Sequence, residues 1–113
     1  MGESFIRAIE NERLEDSGFY YTMSLINGKY KMFILYALSV YRVMRFNEMQ
    51  RFFKTVSYKT LSATLKDLEA DQLVLRTEYP QVPPKVEYSL TPRGESLIPI
   101  LYELCDWGEQ NRL

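Results

Sequence analysis

Two lysines and the small residues between them form one face of a predicted helix in the middle of the chain. At 100° per residue, this face holds Lys59, Ser62, Ala63 and Lys66, and the first acid after them is Asp67. Lysine ammonium groups bind phosphates, and short side chains let a helix approach base edges in the major groove of DNA. The face therefore predicts contact with double-stranded DNA. An ordinary solvated helix face is the alternative.

The opposite face of the same helix is apolar. Leu61, Leu65 and Leu68 recur at the i, i+4 and i+7 spacing of a buried stripe, and Ser57 is a suitable N-cap. Residues near a helix start meet base edges when such a helix enters the groove. The candidates for that contact are Ser57, Tyr58, Thr60, Ser62 and Ala63.

A short helix should precede this one. The sequence predicts it over 46–53, with Asn47 as its cap and with Phe46, Met49, Phe52 and Phe53 facing inward. The connector to Ser57 is only a few residues long, so the two helices must form a helix-turn-helix unit. Because the first helix of such a unit crosses the DNA backbone, Arg45, Asn47 and Arg51 become candidates for DNA contact. Simple surface solubility is the alternative.

A β-hairpin is predicted directly after the helix pair. Residues 73–79 and 85–90 are rich in β-branched and aromatic side chains, and Val86, Tyr88 and Leu90 alternate with polar residues. Prolines 80, 83 and 84 stiffen the tip. A helix-turn-helix followed by such a hairpin is a winged helix, with Lys85 of the wing meeting the backbone or minor groove.

The chain resembles HxlR-type transcriptional regulators, which are winged-helix relatives of the MarR group. The resemblance covers about residues 17–108. It is carried by NGKYKMFIL (27–35), RFNEM (45–49), SYKTLSATLKDLEAD (57–71), PPKVEYSLT (83–91) and LTPRGESLIPIL (90–101), followed by Asp106-Trp107-Gly108. The resemblance implies a mainly α winged helix-turn-helix fold and a homodimer that binds a pseudo-palindromic operator.

Four positions depart from that family. Many members carry a redox-sensing cysteine where this chain has Ser17, and serine cannot form a disulfide. Ala63 and Thr64 stand where the recognition helix of the family often has longer polar residues. The resemblance therefore implies no particular operator sequence. Tyr30 stands where the family favours tryptophan.

The one cysteine, Cys105, lies on the edge of an apolar stripe, and we expect it to be a core residue.

Charge is unevenly distributed along the chain. The net charge is −1, yet residues 27–66 carry eight cations and one acid, while both flanking segments are acidic. Such segregation is typical of a surface that meets a polyanion while the rest of the protein repels it.

The ends of the chain should supply further helices. We predict helices over 5–14 (with Phe5, Ile6 and Ile9 on one side), over 19–26 up to a Gly28 stop, and over 29–40. The inner stripe of the third would be Tyr30, Phe33, Ile34 and Leu38. After the wing, Thr91-Pro92 starts a last helix, which we expect to continue through Pro99. Its apolar stripe predicts a dimer interface formed by Leu97, Leu101, Leu104, Cys105 and Trp107.

Composition narrows the class of protein. At 113 residues the chain predicts one domain, 1–113, with dimerisation helices at both ends. With no histidine and one cysteine, we predict no metal, no cofactor and no enzyme activity. No secretory signal or membrane span is evident, which predicts a cytoplasmic protein. The predicted partners are double-stranded DNA, a second copy of the chain and an unknown small-molecule effector. The alternative is a winged-helix protein-interaction module without DNA binding.

Overall fold

The computed structural model describes residues 2–113, which form a winged helix-turn-helix with six α-helices and a three-stranded antiparallel sheet in that range. The helices are α1 (Glu3–Glu10), α2 (Gly18–Ile26), α3 (Lys31–Tyr41), α4 (Phe46–Phe52), α5 (Tyr58–Ala70) and α6 (Pro92–Asn111), and a 3-10 turn covers Leu14–Asp16. The strands are β1 (Val43–Met44), β2 (Val74–Tyr79) and β3 (Lys85–Leu90), in the order β1-β3-β2. The predicted mainly α fold with a β-hairpin wing is confirmed.

The core lies between α3, α5 and α6 and is closed by the sheet. The leucine stripe predicted for α5 is buried, with Leu61, Leu65 and Leu68 at most 1% exposed. Its main partners are Ile34, Leu35, Leu38, Met49, Leu73, Leu97, Ile98 and Leu101. Burial of these apolar side chains is what fixes α5 and therefore the direction of its outer face.

Helix α6 joins the sheet through a close backbone contact. Thr91 caps the helix, because its Oγ1 accepts from the Gly94 N–H (2.9 Å) and donates to the Gln72 carbonyl (2.7 Å). The Thr91 N–H also donates to the Leu73 carbonyl at 3.1 Å. A Cβ at Gly94 would overlap that same Leu73 oxygen. The predicted cap and the continuous helix through Pro99 are confirmed.

Several local predictions were wrong. In α3, Phe33 is 61% exposed and Leu35 is fully buried, because the inner face of the helix is centred on Ile34 and Leu38. In α4, Phe52 is 50% exposed, and the centre of its ring lies 5.5 Å from the centre of the Tyr41 ring.

The ends of the elements also differ from the predicted ones. The cap of α4 is Arg45, whose N–H donates to Glu48 Oε1 at 2.8 Å, so Asn47 lies inside the first turn. Helix α1 ends at Glu10 rather than at residue 14. Gly28 follows α2 with a φ of 146°, a backbone conformation that favours glycine. Strand β1 was not predicted, because two residues are too few to show a period-2 pattern.

Candidate nucleic-acid interface

Ser57 and Thr60 fix the start of α5. The Thr60 N–H donates to Ser57 Oγ at 3.1 Å, and the Ser57 hydroxyl donates to Thr60 Oγ1 at 3.0 Å. The Thr64 hydroxyl donates back to the Thr60 carbonyl at 2.7 Å. Of the predicted base-contacting residues, Ser57 and Thr60 thus have a structural role as well, because their hydroxyls already hold the helix end.

The outer face of α5 stands open to solvent. Lys59, Ala63 and Lys66 are exposed, and Ser62 is half-buried between them. Tyr58 is 67% exposed, and the centre of its ring lies 4.8 Å from that of Phe46, so Tyr58 packs against α4. The structure therefore brings the predicted basic and small residues together on one accessible surface.

The helix before α5 also carries exposed cations. Arg45, at the cap of α4, and Arg51, in its last turn, are exposed, as is Asn47. The turn between the helices is held from α3, since the Tyr30 hydroxyl lies 3.2 Å from Thr55 Oγ1. Tyrosine at this position therefore supplies a polar contact to the turn between α4 and α5.

Lys85, the lysine of the wing, has an acidic and an aromatic neighbour within the wing. Lys85 Nζ lies 3.6 Å from Glu87 Oε2 and 4.9 Å from the centre of the Tyr79 ring. A hydrogen bond to the same Glu87 carboxylate raises the pKa of Tyr79 above its ordinary value. The charge of Lys85 is thus partly compensated within the wing, unlike those of Lys59 and Lys66, which have no ion pair among the described residues.

The predicted dimerisation residues on α6 divide into two groups. Leu97 and Leu101 are only 8% and 5% exposed and pack in the core of the domain, so they offer little surface to a second copy, and their part in dimerisation stays a prediction. Leu104 and Trp107 are 52% and 69% exposed. Cys105 is exposed beside them, which corrects its prediction as a core residue.

An apolar groove between α3 and α6 was missed at the sequence level. It is lined by Met32, Phe33, Tyr36, Leu101, Leu104 and Cys105. The sequence did contain a signal for this groove, because α3 has apolar residues on all of its sides. A helix that is apolar on every side is usually buried all round, yet α3 is buried on one side only.

Comparison with known proteins identifies the family. Residues 25–112 match the HxlR-like helix-turn-helix domain. The chain belongs to this family. An HTH-type transcriptional regulator from Halalkalibacterium halodurans is 56% identical over 101 residues, which cover 89% of each chain. The HTH-type transcriptional regulator YdzF of Bacillus subtilis is 48% identical over 96 residues, covering 85% of this chain and 88% of its own.

Solved structures of other transcriptional regulators have the same fold. The redox regulator HypR in its reduced form superposes with a TM-score of 0.80 at 43% identity, covering 85% of this chain and 94% of that one. A further structure, described as a putative HTH-type transcriptional regulator ytcD, gives 0.79 at 40% identity, covering 83% and 95%. The matched proteins are transcriptional regulators rather than enzymes, and this HxlR-family chain is likewise a helix-turn-helix regulator.

Ser17 has a structural use in this HxlR-family member. It is 2% exposed and caps α2, accepting from the Tyr20 N–H at 3.0 Å and donating to the Leu14 carbonyl at 2.8 Å. The Ser17 hydroxyl therefore has both of its hydrogen-bonding functions satisfied within the chain.

Residues 2–113 contain neither a metal-ligand cluster nor a membrane-spanning helix. No group of three or more histidine, cysteine, aspartate or glutamate side chains in that range is arranged to hold a metal ion. No helix in the same range is both long and apolar enough to cross a membrane.

Proposed function

We propose that this HxlR-family regulator binds a specific sequence of double-stranded DNA, with α5 in the major groove. The observation that carries the proposal is the outer face of α5, where two exposed lysines flank small side chains and the first acid is Asp67. The lysines would neutralise phosphates on either side of the groove, while Tyr58 and Ser62 would meet base edges. Arg45 and Arg51 on α4 would add phosphate contacts along the backbone.

We also propose that the binding species is a homodimer formed by the terminal helices of one 1–113 unit. Exposed apolar residues include Phe5, Ile6 and Ile9 on α1 and Leu104 and Trp107 on the second half of α6. The Cα radius of gyration is 16.4 Å, against roughly 13 Å for a compact chain of this length. An elongated protomer with apolar ends exposes surface that a second copy would cover.

A two-fold dimer sets the geometry of the site. Two copies of α5 would read half-sites about one helical turn apart, which implies a pseudo-palindromic operator. We place the protein in the cytoplasm, where a regulator reaches DNA, and retain a small-molecule effector as a further partner. A winged-helix interaction module without DNA binding is the rival function.

Selection of bound duplexes from random DNA, repeated at several salt concentrations, tests the proposal. We expect enrichment of a pseudo-palindromic sequence, with affinity falling steeply as salt rises. Arg112→Ala is a charge control, because Arg112 pairs with Glu109 at 2.7 Å at the far end of α6. It should leave affinity unchanged. Weak binding without sequence preference or salt dependence would favour the interaction module.

A further inference from the structure

A cleft with charged groups at its rim opens where α3, β3 and α6 meet. Its volume is about 450 Å³, within the roughly 300–1,000 Å³ of small-molecule sites. Leu38 and Ile98, 1% and 7% exposed, form an apolar floor. The remaining lining residues are Ser39, Arg42, Ser89, Leu90, Glu95, Pro99 and Tyr102. No residue of α5 lines the cleft.

Arg42 supplies a cation to this cleft from a strained backbone. It ends α3 with a φ of 71° and a ψ of −57°, and its N–H donates to the Leu38 carbonyl at 3.0 Å. Positive φ is uncommon for a long side chain and is often retained at functional sites. Across residues 2–113, no carboxylate lies within ion-pair distance of Arg42.

Glu95 supplies hydrogen-bond acceptors on the other wall. The Glu95 carboxylate is exposed and, within the described part of the chain, forms no ion pair. Pro99 lies four residues later in α6 and has no N–H, so it cannot donate the usual helical hydrogen bond to the Glu95 carbonyl. The cleft thus combines an arginine, an unpaired carboxylate and an apolar floor.

We propose that this cleft binds a small organic acid that also carries an ammonium or hydroxyl group, such as an apolar amino acid or its 2-hydroxy analogue. The ligand carboxylate would bind the Arg42 guanidinium, which suits planar carboxylates. Its donor group would bind Glu95, and its apolar part would cover Leu38 and Ile98. Binding itself is independent of the proposed function, whereas its regulatory consequence rests on it.

The position of the cleft connects it to the DNA-binding elements. Arg42 immediately precedes β1, and Val43 of β1 pairs with Ser89 of β3, which also lines the cleft. Strand β1 leads through Arg45 into α4. A ligand held between Arg42 and Glu95 would favour one arrangement of α3, β1 and the wing. By linkage, any change in DNA affinity on ligand binding must be matched by an equal change in ligand affinity on DNA binding.

Calorimetry with the full-length protein tests the site directly. The probes are the apolar L-amino acids, their 2-hydroxy analogues, and the corresponding amines, which lack the carboxylate. We expect saturable binding of at least one acid at millimolar concentration and no binding of its amine. Arg42→Asn keeps a residue that tolerates positive φ while removing the charge, and it should weaken binding about ten- to a hundredfold. Glu95→Gln should weaken the amino acid more than the hydroxy acid.

Arg112→Asn is the matched control and should bind like the wild type, with circular dichroism confirming that each variant is folded. Failure of every acid to bind, or equal binding by Arg42→Asn, would overturn the proposed site. DNA affinity of the ligand-free protein is measured separately. Loss of DNA binding with ligand binding intact would refute the proposed function and leave the site standing.

Discussion

Gly94→Ala should destabilise the protein although alanine is the better helix former. Gly94 lies in the first turn of α6, and a Cβ there would overlap the Leu73 carbonyl oxygen, a backbone atom that also accepts from the Thr91 N–H. Relieving the overlap requires α6 to move away from the sheet. Overpacking of this kind costs about 1–3 kcal/mol, and since a backbone group rather than a side chain must move, we expect about 2 kcal/mol or more after the gain in helix propensity.

Gly108 in the same helix provides the matched control. A Cβ at Gly108 meets nothing within 4 Å, so Gly108→Ala should stabilise by up to about 1 kcal/mol. Thermal and urea unfolding at equal protomer concentration would measure both changes. With about 4 °C per kcal/mol for a domain of this size, the Tm of Gly94→Ala should fall by about 8 °C. A Gly94→Ala protein as stable as the wild type would refute the close helix–sheet contact.

Four further predictions concern the interface, the thiol, the α2 cap and the wing. Leu104→Glu should give a folded monomer in sedimentation, whereas Leu101→Glu should unfold the protomer; a dimeric Leu104→Glu protein would contradict the proposed interface. Because Cys105 is the only cysteine in the sequence, any thiol response of DNA affinity to diamide must run through Cys105, and Cys105→Ser protein should show none. Ser17→Ala should lower stability by about 1 kcal/mol in urea unfolding through loss of the α2 cap, and an unchanged midpoint would argue against that role. Lys85→Ala should reduce the slope of log affinity against log salt by less than one per subunit, because Glu87 already compensates the Lys85 charge. A reduction by a full unit per subunit would show that the ion pair between Lys85 and Glu87 opens when DNA binds.

The recognition helix was predictable because its signals agree with one another. Ser57 caps it, three leucines at helical spacing bury one face, and the lysines then have only the opposite face to occupy. The wing and the start of α6 were also predictable. The alternation of apolar and polar side chains in 85–90 indicates a strand, and the Thr91-Pro92 pair indicates a helix start. Each of these features depends on neighbours in sequence.

The errors about burial concern features set by distant residues. Phe33 and Leu35 are both apolar, so periodicity alone could not show which one the core would accept. Leu101 and Leu104 share a stripe, yet α3 covers only Leu101. The cleft between Arg42 and Glu95 joins positions more than fifty residues apart and has no local signal. These assignments require the packing of α3 against α6.

Salt-dependent DNA binding of a variant lacking both lysines of α5 tests the central claim most directly. The double variant Lys59→Ala/Lys66→Ala is compared with wild type and with Arg112→Ala on a selected duplex and on random duplex, at three or more salt concentrations. If both lysines contact phosphates, affinity for both duplexes should fall, and the slope of log affinity against log salt should decrease by about one per lysine in each subunit. Unchanged affinities and slopes would contradict the account, because the outer face of α5 would then not contact DNA.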